Sequence, residues 1–180
     1  MQATTSRVRN VFYGIAATAA VAVGHGAVGF TTLRAQAPAP ILVEPLTPRS
    51  VFTEEVSGQF RIKAKGQGTE VVNMSDASRT VIARITVQPG AQFPWHTHSG
   101  PVVVNVAQGE LVYLEADNCV PKAYAAGTAF VDPGQGHVHT AFNRTSSVTV
   151  LYATFFQVAA DGPLTITAGV EIPTDCHIEN

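Results

Sequence analysis

The sequence predicts one all-β domain, an antiparallel sandwich or barrel, and three observations carry that prediction. Short apolar and β-branched runs follow one another from Thr69 to Ala168. Turn-forming residues separate them at the spacing of a many-stranded β fold, and nothing beyond residue 37 shows the stripe of an amphipathic helix. The chain has 180 residues, room for one ordinary domain. With 46% hydrophobic and only 13% charged residues, it can fill a core and is not of the disordered class.

The N-terminus is different in kind. Arg7 and Arg9 precede an uncharged stretch from Val11 to Leu33, and Arg34 is followed by Ala35-Gln36-Ala37. A basic start, an apolar middle and an A-x-A site read as a secretory signal peptide over residues 1–37, cleaved after Ala37. The alternative is an uncleaved anchor, since the stretch is long enough to span a bilayer. Both readings put the domain outside the cytoplasm, secreted or periplasmic. Three of the eleven basic residues and none of the thirteen acidic ones lie in this segment, so cleavage takes the net charge from −2 to −5. A chain of that charge has no basic face for a phosphate backbone, which argues against nucleic acid as a partner.

Residues 38–68 begin with four prolines by position 48 and read as a linker with edge strands. The barrel itself is expected over 69–180, ending in a C-terminal tail. Its strand candidates are Thr69–Asn73, Thr80–Val87, Val102–Ala107, Glu110–Glu115, Thr128–Val131, His137–Phe142, Ser147–Val158 and Leu164–Ala168. Gln88-Pro89-Gly90, Gln108-Gly109, Asp117-Asn118, Ala126-Gly127, Asp132-Pro133-Gly134 and Asn143-Arg144 supply turns between them. The run from Val148 to Val158 is apolar on both parities and is expected to be buried on both faces. Cys119 and Cys176 are the only cysteines, and in an oxidising compartment they are expected to form one disulfide that staples the tail to the body.

Four of the five histidines beyond residue 37 occur as two pairs, His96-x-His98 and His137-x-His139. Residues two apart on a strand share a face, so each pair can present two imidazoles together. Imidazole is a ligand for several divalent ions, and buried rings without a metal would each need hydrogen-bond partners.

These residues sit in a recognisable pattern. Gly90, five residues, His96-Thr97-His98 and then Gly109 resembles the first cupin motif, G-x5-H-x-H-x3-E-x6-G. Gly127, five residues, Pro133, then Gly136-x2-His139-x3-Asn143 resembles the second, G-x5-P-x-G-x2-H-x3-N, with one extra residue between Pro133 and Gly136. The chain is thus similar to small single-domain cupins of the cupin_2-like kind. The resemblance implies a double-stranded β-helix, or jelly-roll barrel. It also implies one divalent metal ion (Fe, Mn, Zn, Ni or Cu) on His96, His98 and His139.

Val102 stands where the motif has a glutamate ligand, so the expected site has three protein ligands and stays near +2. Such a site attracts anionic or chelating small molecules. Some three-histidine cupins are oxygenases, so the resemblance allows a metal-dependent oxygenase or related enzyme acting on a small molecule. The alternative is a protein that binds a metal or small molecule without catalysis. His137 is the candidate catalytic residue, as a fourth ligand, a base, or a group on the rim. Val102, Val104 and Val106 share the histidines' parity and are expected in the barrel interior, with Phe130 and Phe142 as further pocket wall. Tyr113, Glu110 and Glu115 are assigned to a solvated face, and Trp95 to packing behind the sheet. A homodimer formed through an exposed edge strand is a further expectation.

Overall fold

The computed structural model describes residues 39–63 and 68–176, and its described residues form eleven strands and no helix. The expected signal peptide and His177 lie outside the described residues. The architecture is organised around β5 (Arg79–Val87), whose sequence alternates strictly: Val81, Ala83, Ile85 and Val87 are buried, while Ile82 faces solvent. That period of two is what a strand covered on one face requires. β1 (Ile41–Pro45) and β2 (Ser50–Val51) pair with β5 on one side and β11 (Thr149–Phe155) on the other. The sheet continues through β6 (Val102–Gln108) to β9 (Ala129–Asp132), every pairing antiparallel.

A second sheet, in the order β10 (His139–Phe142), β7 (Glu110–Glu115), β8 (Lys122–Ala125), closes over the first. One apolar cluster joins them: Val102, Val104 and Val106 of β6 meet Leu111 and Tyr113 of β7 and Ala141 of β10. Each fully buried valine contributes about 1.5–3 kcal/mol, so this inner layer is the main store of stability. The other face of the small sheet is also buried: Val112, Leu114 and Phe142 pack together under Trp95 and Cys176. A separate hairpin of β3 (Gly58–Lys63) and β4 (Thr69–Met74) completes the described strands.

Four expectations are corrected. Leu164–Ala168 is not a strand but a strap with one bridge, Ile166 to Thr97. The strand expected over His137–Phe142 begins only at His139, because the residues before it are a turn. The run around β11 is not buried on both faces: Tyr152 is 40% exposed on the outer side of the sheet. Phe142, expected in the barrel interior, is three residues from His139 and therefore of opposite parity, and it packs behind the small sheet.

The turn from Pro133 to Gly136 carries the extra residue relative to the motif. Gly134, Gln135 and Gly136 all have positive φ (58°, 51° and 93°). A side chain at Gly134 would place its Cβ 2.0 Å from the carbonyl oxygen of Gly100, so the backbones meet there as only glycine allows. The Gln135 N–H donates to the His98 carbonyl at 2.8 Å and the Gly136 N–H to Thr97 Oγ1 at 3.1 Å. This turn thereby fastens the second histidine-bearing segment to the first.

Candidate metal centre

Three histidines from two segments converge inside the barrel. His96 and His139 exchange backbone N–H···O bonds at 2.9 Å in each direction, which sets their side chains next to each other. Their ring centroids lie 4.1 Å apart, with His98 4.9 Å from His96 and 5.2 Å from His139. One nitrogen from each ring can be chosen so that all three lie within 4.8 Å of one another. All three residues are buried.

Outer partners decide which nitrogen each ring turns inward. His96 Nδ1 lies 2.7 Å from the Pro94 carbonyl, and His98 Nδ1 2.7 Å from the Leu164 carbonyl of the strap. A carbonyl only accepts, so both rings carry their proton on Nδ1 and keep the Nε2 lone pair free. His139 Nδ1 lies 2.8 Å from Asp132 Oδ2, a close contact not aligned as a hydrogen bond, so its effect is chiefly electrostatic. Burial lowers His96 to about 3, helped by the neighbouring His139 and His98 rings. Burial likewise lowers His98. Neutral imidazoles with a free Nε2 are the form a divalent cation needs, and the donor set fits such an ion.

The surrounding cavity is small, about 60 Å³. Val102, Val104, Phe130 and Phe155 form part of an almost wholly apolar wall, to which β1 adds Val43 and the strap Leu164. Phe155 meets the His98 ring edge-on at 5.3 Å, and Phe93 lies 5.8 Å from His96.

Two polar residues in this cavity were not foreseen. Tyr113, assigned above to a solvated face, is 3% exposed, its ring 5.0 Å from that of His139. Its hydroxyl donates to Asp132 Oδ2 at 3.0 Å. Burial, then the Asp132 charge, push this phenol well above its ordinary range, so it stays a donor. Asp132 is 1% exposed and also accepts from the Gly134 N–H at 2.7 Å. Burial alone would raise its carboxyl; the His139 and His98 rings and the Gly134 N–H outweigh that and hold it at about 2. In the sequence, Asp132 spells a turn with Pro133 and Gly134. The usable signal is its parity with Phe130, which aims both into the barrel.

His137 does not enter this cavity. Its Nδ1 lies 3.4 Å from Glu70 Oε1 of β4, and one of its ring nitrogens lies with a carboxylate oxygen of Glu115 and one of Asp117, the three atoms within 4.8 Å of one another. Glu115, also assigned to a solvated face, is 9% exposed, and its Oε2 is taken up by Lys122 Nζ at 2.8 Å and Asn118 Nδ2 at 2.5 Å. Cys119 and Cys176 are joined as a disulfide that ties the end of the described chain to the turn after β7. The bond is consistent with an extracytoplasmic location.

The Cupin family model, Cupin_1, matches residues 56–170, and the chain belongs to the cupin family. The chain is also similar to parts of several solved structures. They include the polyketide cyclase RemF from Streptomyces resistomycificus (16% identity, 52% of this chain and 63% of that one, TM-score 0.42). An oxalate oxidase aligns at 26% identity over 42% of this chain and 41% of that one, TM-score 0.38. The Cupin_2 domain of an XRE family transcriptional regulator from Enterobacter cloacae aligns at 16% identity over 64% of this chain and 95% of that one, TM-score 0.43. The chain thus spans less than two-thirds of the length of the first two. No curated protein matches it.

Proposed function

We propose that this cupin is an exported metal-dependent enzyme that holds one divalent ion on His96, His98 and His139 and acts on a small anionic or chelating molecule. The observation that carries the reading is the convergence of the three rings, each with a main-chain or carboxylate oxygen against its Nδ1. The Pro94 and Leu164 carbonyls each accept from an Nδ1, which leaves the Nε2 atoms of His96 and His98 for an ion, and Asp132 Oδ2 lies 2.8 Å from the Nδ1 of His139. When bound, that ion would supply Lewis-acid chemistry and, if redox-active, electron transfer.

The chain's own residues have separable roles. The apolar wall excludes water and strengthens electrostatic attraction at the site. A cavity of about 60 Å³ restricts what reaches the histidines to a molecule, or the end of one, of a few heavy atoms. Tyr113 holds its proton on the hydroxyl oxygen facing Asp132. The disulfide and the apolar N-terminal segment support export.

A second reading, binding without turnover, is favoured by the commitment of Tyr113 and Asp132 to each other, which leaves neither of them free as an acid or base. The test is turnover by the metal-loaded protein over small carboxylates, thiols and diketones, with His96→Ala as control. Product formed by the parent and not by His96→Ala supports an enzyme. Thermal stabilisation by a ligand recovered unchanged establishes the binding protein instead.

A further inference from the structure

We propose that Asp132 supplies, from behind His139, the negative charge that offsets the ion on the three histidines, in place of a carboxylate bound to the ion itself. The inference rests on the reading that these histidines hold a divalent ion.

Asp132 is a buried anion whose partners are a histidine, a tyrosine hydroxyl and a backbone N–H. Among the described residues no lysine or arginine pairs with it. A carboxylate taken out of water needs positive charge or donors beside it, and the His139 ring, the Tyr113 hydroxyl and the Gly134 N–H stand there. A divalent ion one imidazole away would stabilise that buried charge further. In return, the carboxylate brings the net charge of the ion and its surroundings from +2 to +1.

The position of Asp132 fits this exchange. Val102, which occupies the place of the motif's glutamate, is its direct antiparallel partner across β6 and β9. The negative charge is therefore present at the same level of the barrel, moved by one strand. Moving it has a chemical consequence. A carboxylate at position 102 would take up a coordination position, whereas one behind His139 takes up none. The site keeps the charge of a carboxylate-bearing centre and leaves an extra face, lined by Val102, open to a ligand with two donor atoms. Tyr113 is a positioning residue in this arrangement, since its hydroxyl holds the carboxylate oxygen that faces His139.

The test measures Zn(II) affinity by competition with a chromophoric chelator, and the Co(II) visible spectrum, on the full chain and three variants. Asp132→Asn keeps the shape and removes the charge; it should weaken Zn(II) binding by about 10- to 100-fold, the usual effect of losing an outer partner. Its Co(II) spectrum should keep the parent's band pattern. Val102→Glu added to Asp132→Asn should restore affinity by about tenfold or more and shift the Co(II) bands as a ligand is added. Val102→Glu alone should gain less than about threefold, because the charge is already offset.

Unchanged Zn(II) affinity in Asp132→Asn overturns the proposal. If that variant does not fold, Val102→Glu alone decides, and a gain of tenfold or more contradicts it. A parent chain that binds no Zn(II) or Co(II) overturns the metal reading and this inference with it.

Discussion

The two H-x-H pairs are spelled alike and built differently. His96 and His98 both reach the cavity, while His139 reaches it and His137 turns away to Glu70, Glu115 and Asp117. Spacing by two puts side chains on one face only while the backbone stays extended. Before His139 it does not, because three consecutive positive-φ residues wind the chain immediately upstream of His137. The first pair is not a regular strand either. It is held from outside, by the Pro94 carbonyl on one ring and the Leu164 carbonyl of the strap on the other. The same dipeptide pattern therefore needs a restraint to become a site: a carbonyl for each ring in one case, a glycine turn and an aspartate in the other.

Cutting the restraint nearest the first pair should have the largest effect on stability. The strap that bears Leu164 runs on to Cys176, whose bond to Cys119 closes 57 residues. The Cys119→Ser/Cys176→Ser variant should lose about 4 kcal/mol on the chain-entropy account. Urea unfolding would show it, and an unchanged midpoint would detach the strap from the stability of the fold.

Next comes the turn that divides the second pair. Gly134→Ala puts a Cβ against the Gly100 carbonyl at positive φ. Left-handed strain and overpacking together should cost about 3 kcal/mol, read as a lower denaturation midpoint. Wild-type stability in that variant would mean that the turn can move without loss, and that it does not fix His139.

Acid tests the burial of the first pair. The folded protein holds His96 at about 3 against an ordinary 6.5, so between those values the unfolded chain binds more protons and stability falls as pH falls. The metal-free protein should lose stability below pH 6.5, at up to about 1.4 kcal/mol per pH unit for this ring. His96→Gln should flatten the profile. Identical profiles would show that the ring is solvated in the metal-free state.

His137→Ala should do least. It removes a half-exposed contact to Glu70, worth about 1 kcal/mol or less, and should leave metal affinity unchanged. A loss of metal in this variant would join the two clusters that the turn separates.

Much of this was legible before the structure. β5 and β6 alternate cleanly, and each appears where period-two valines, isoleucines and alanines predict it. The two motifs carried the positions of His96, His98 and His139. What stayed hidden has physical reasons. β8 offers only Lys-Ala-Tyr-Ala, too short for a period to emerge. β7 is apolar on both parities because its sheet is covered on both faces, so nothing in its pattern separated Tyr113 from the outer row. Asp132 ends a strand and begins a turn, and its neighbours Pro133 and Gly134 made the turn the louder signal. The strap lacks the partner strand that an apolar run of its length implies, and its contribution to the site is a main-chain carbonyl, which sequence cannot announce.

The central claim is that three imidazoles hold one ion, and elemental analysis tests it most directly. The chain should carry about one equivalent of a divalent transition metal, and so should His137→Ala, while His96→Ala/His139→Ala should carry none. Absence of metal from the parent chain, even after reconstitution with each of Fe(II), Mn(II), Zn(II), Ni(II) and Cu(II), would contradict the account.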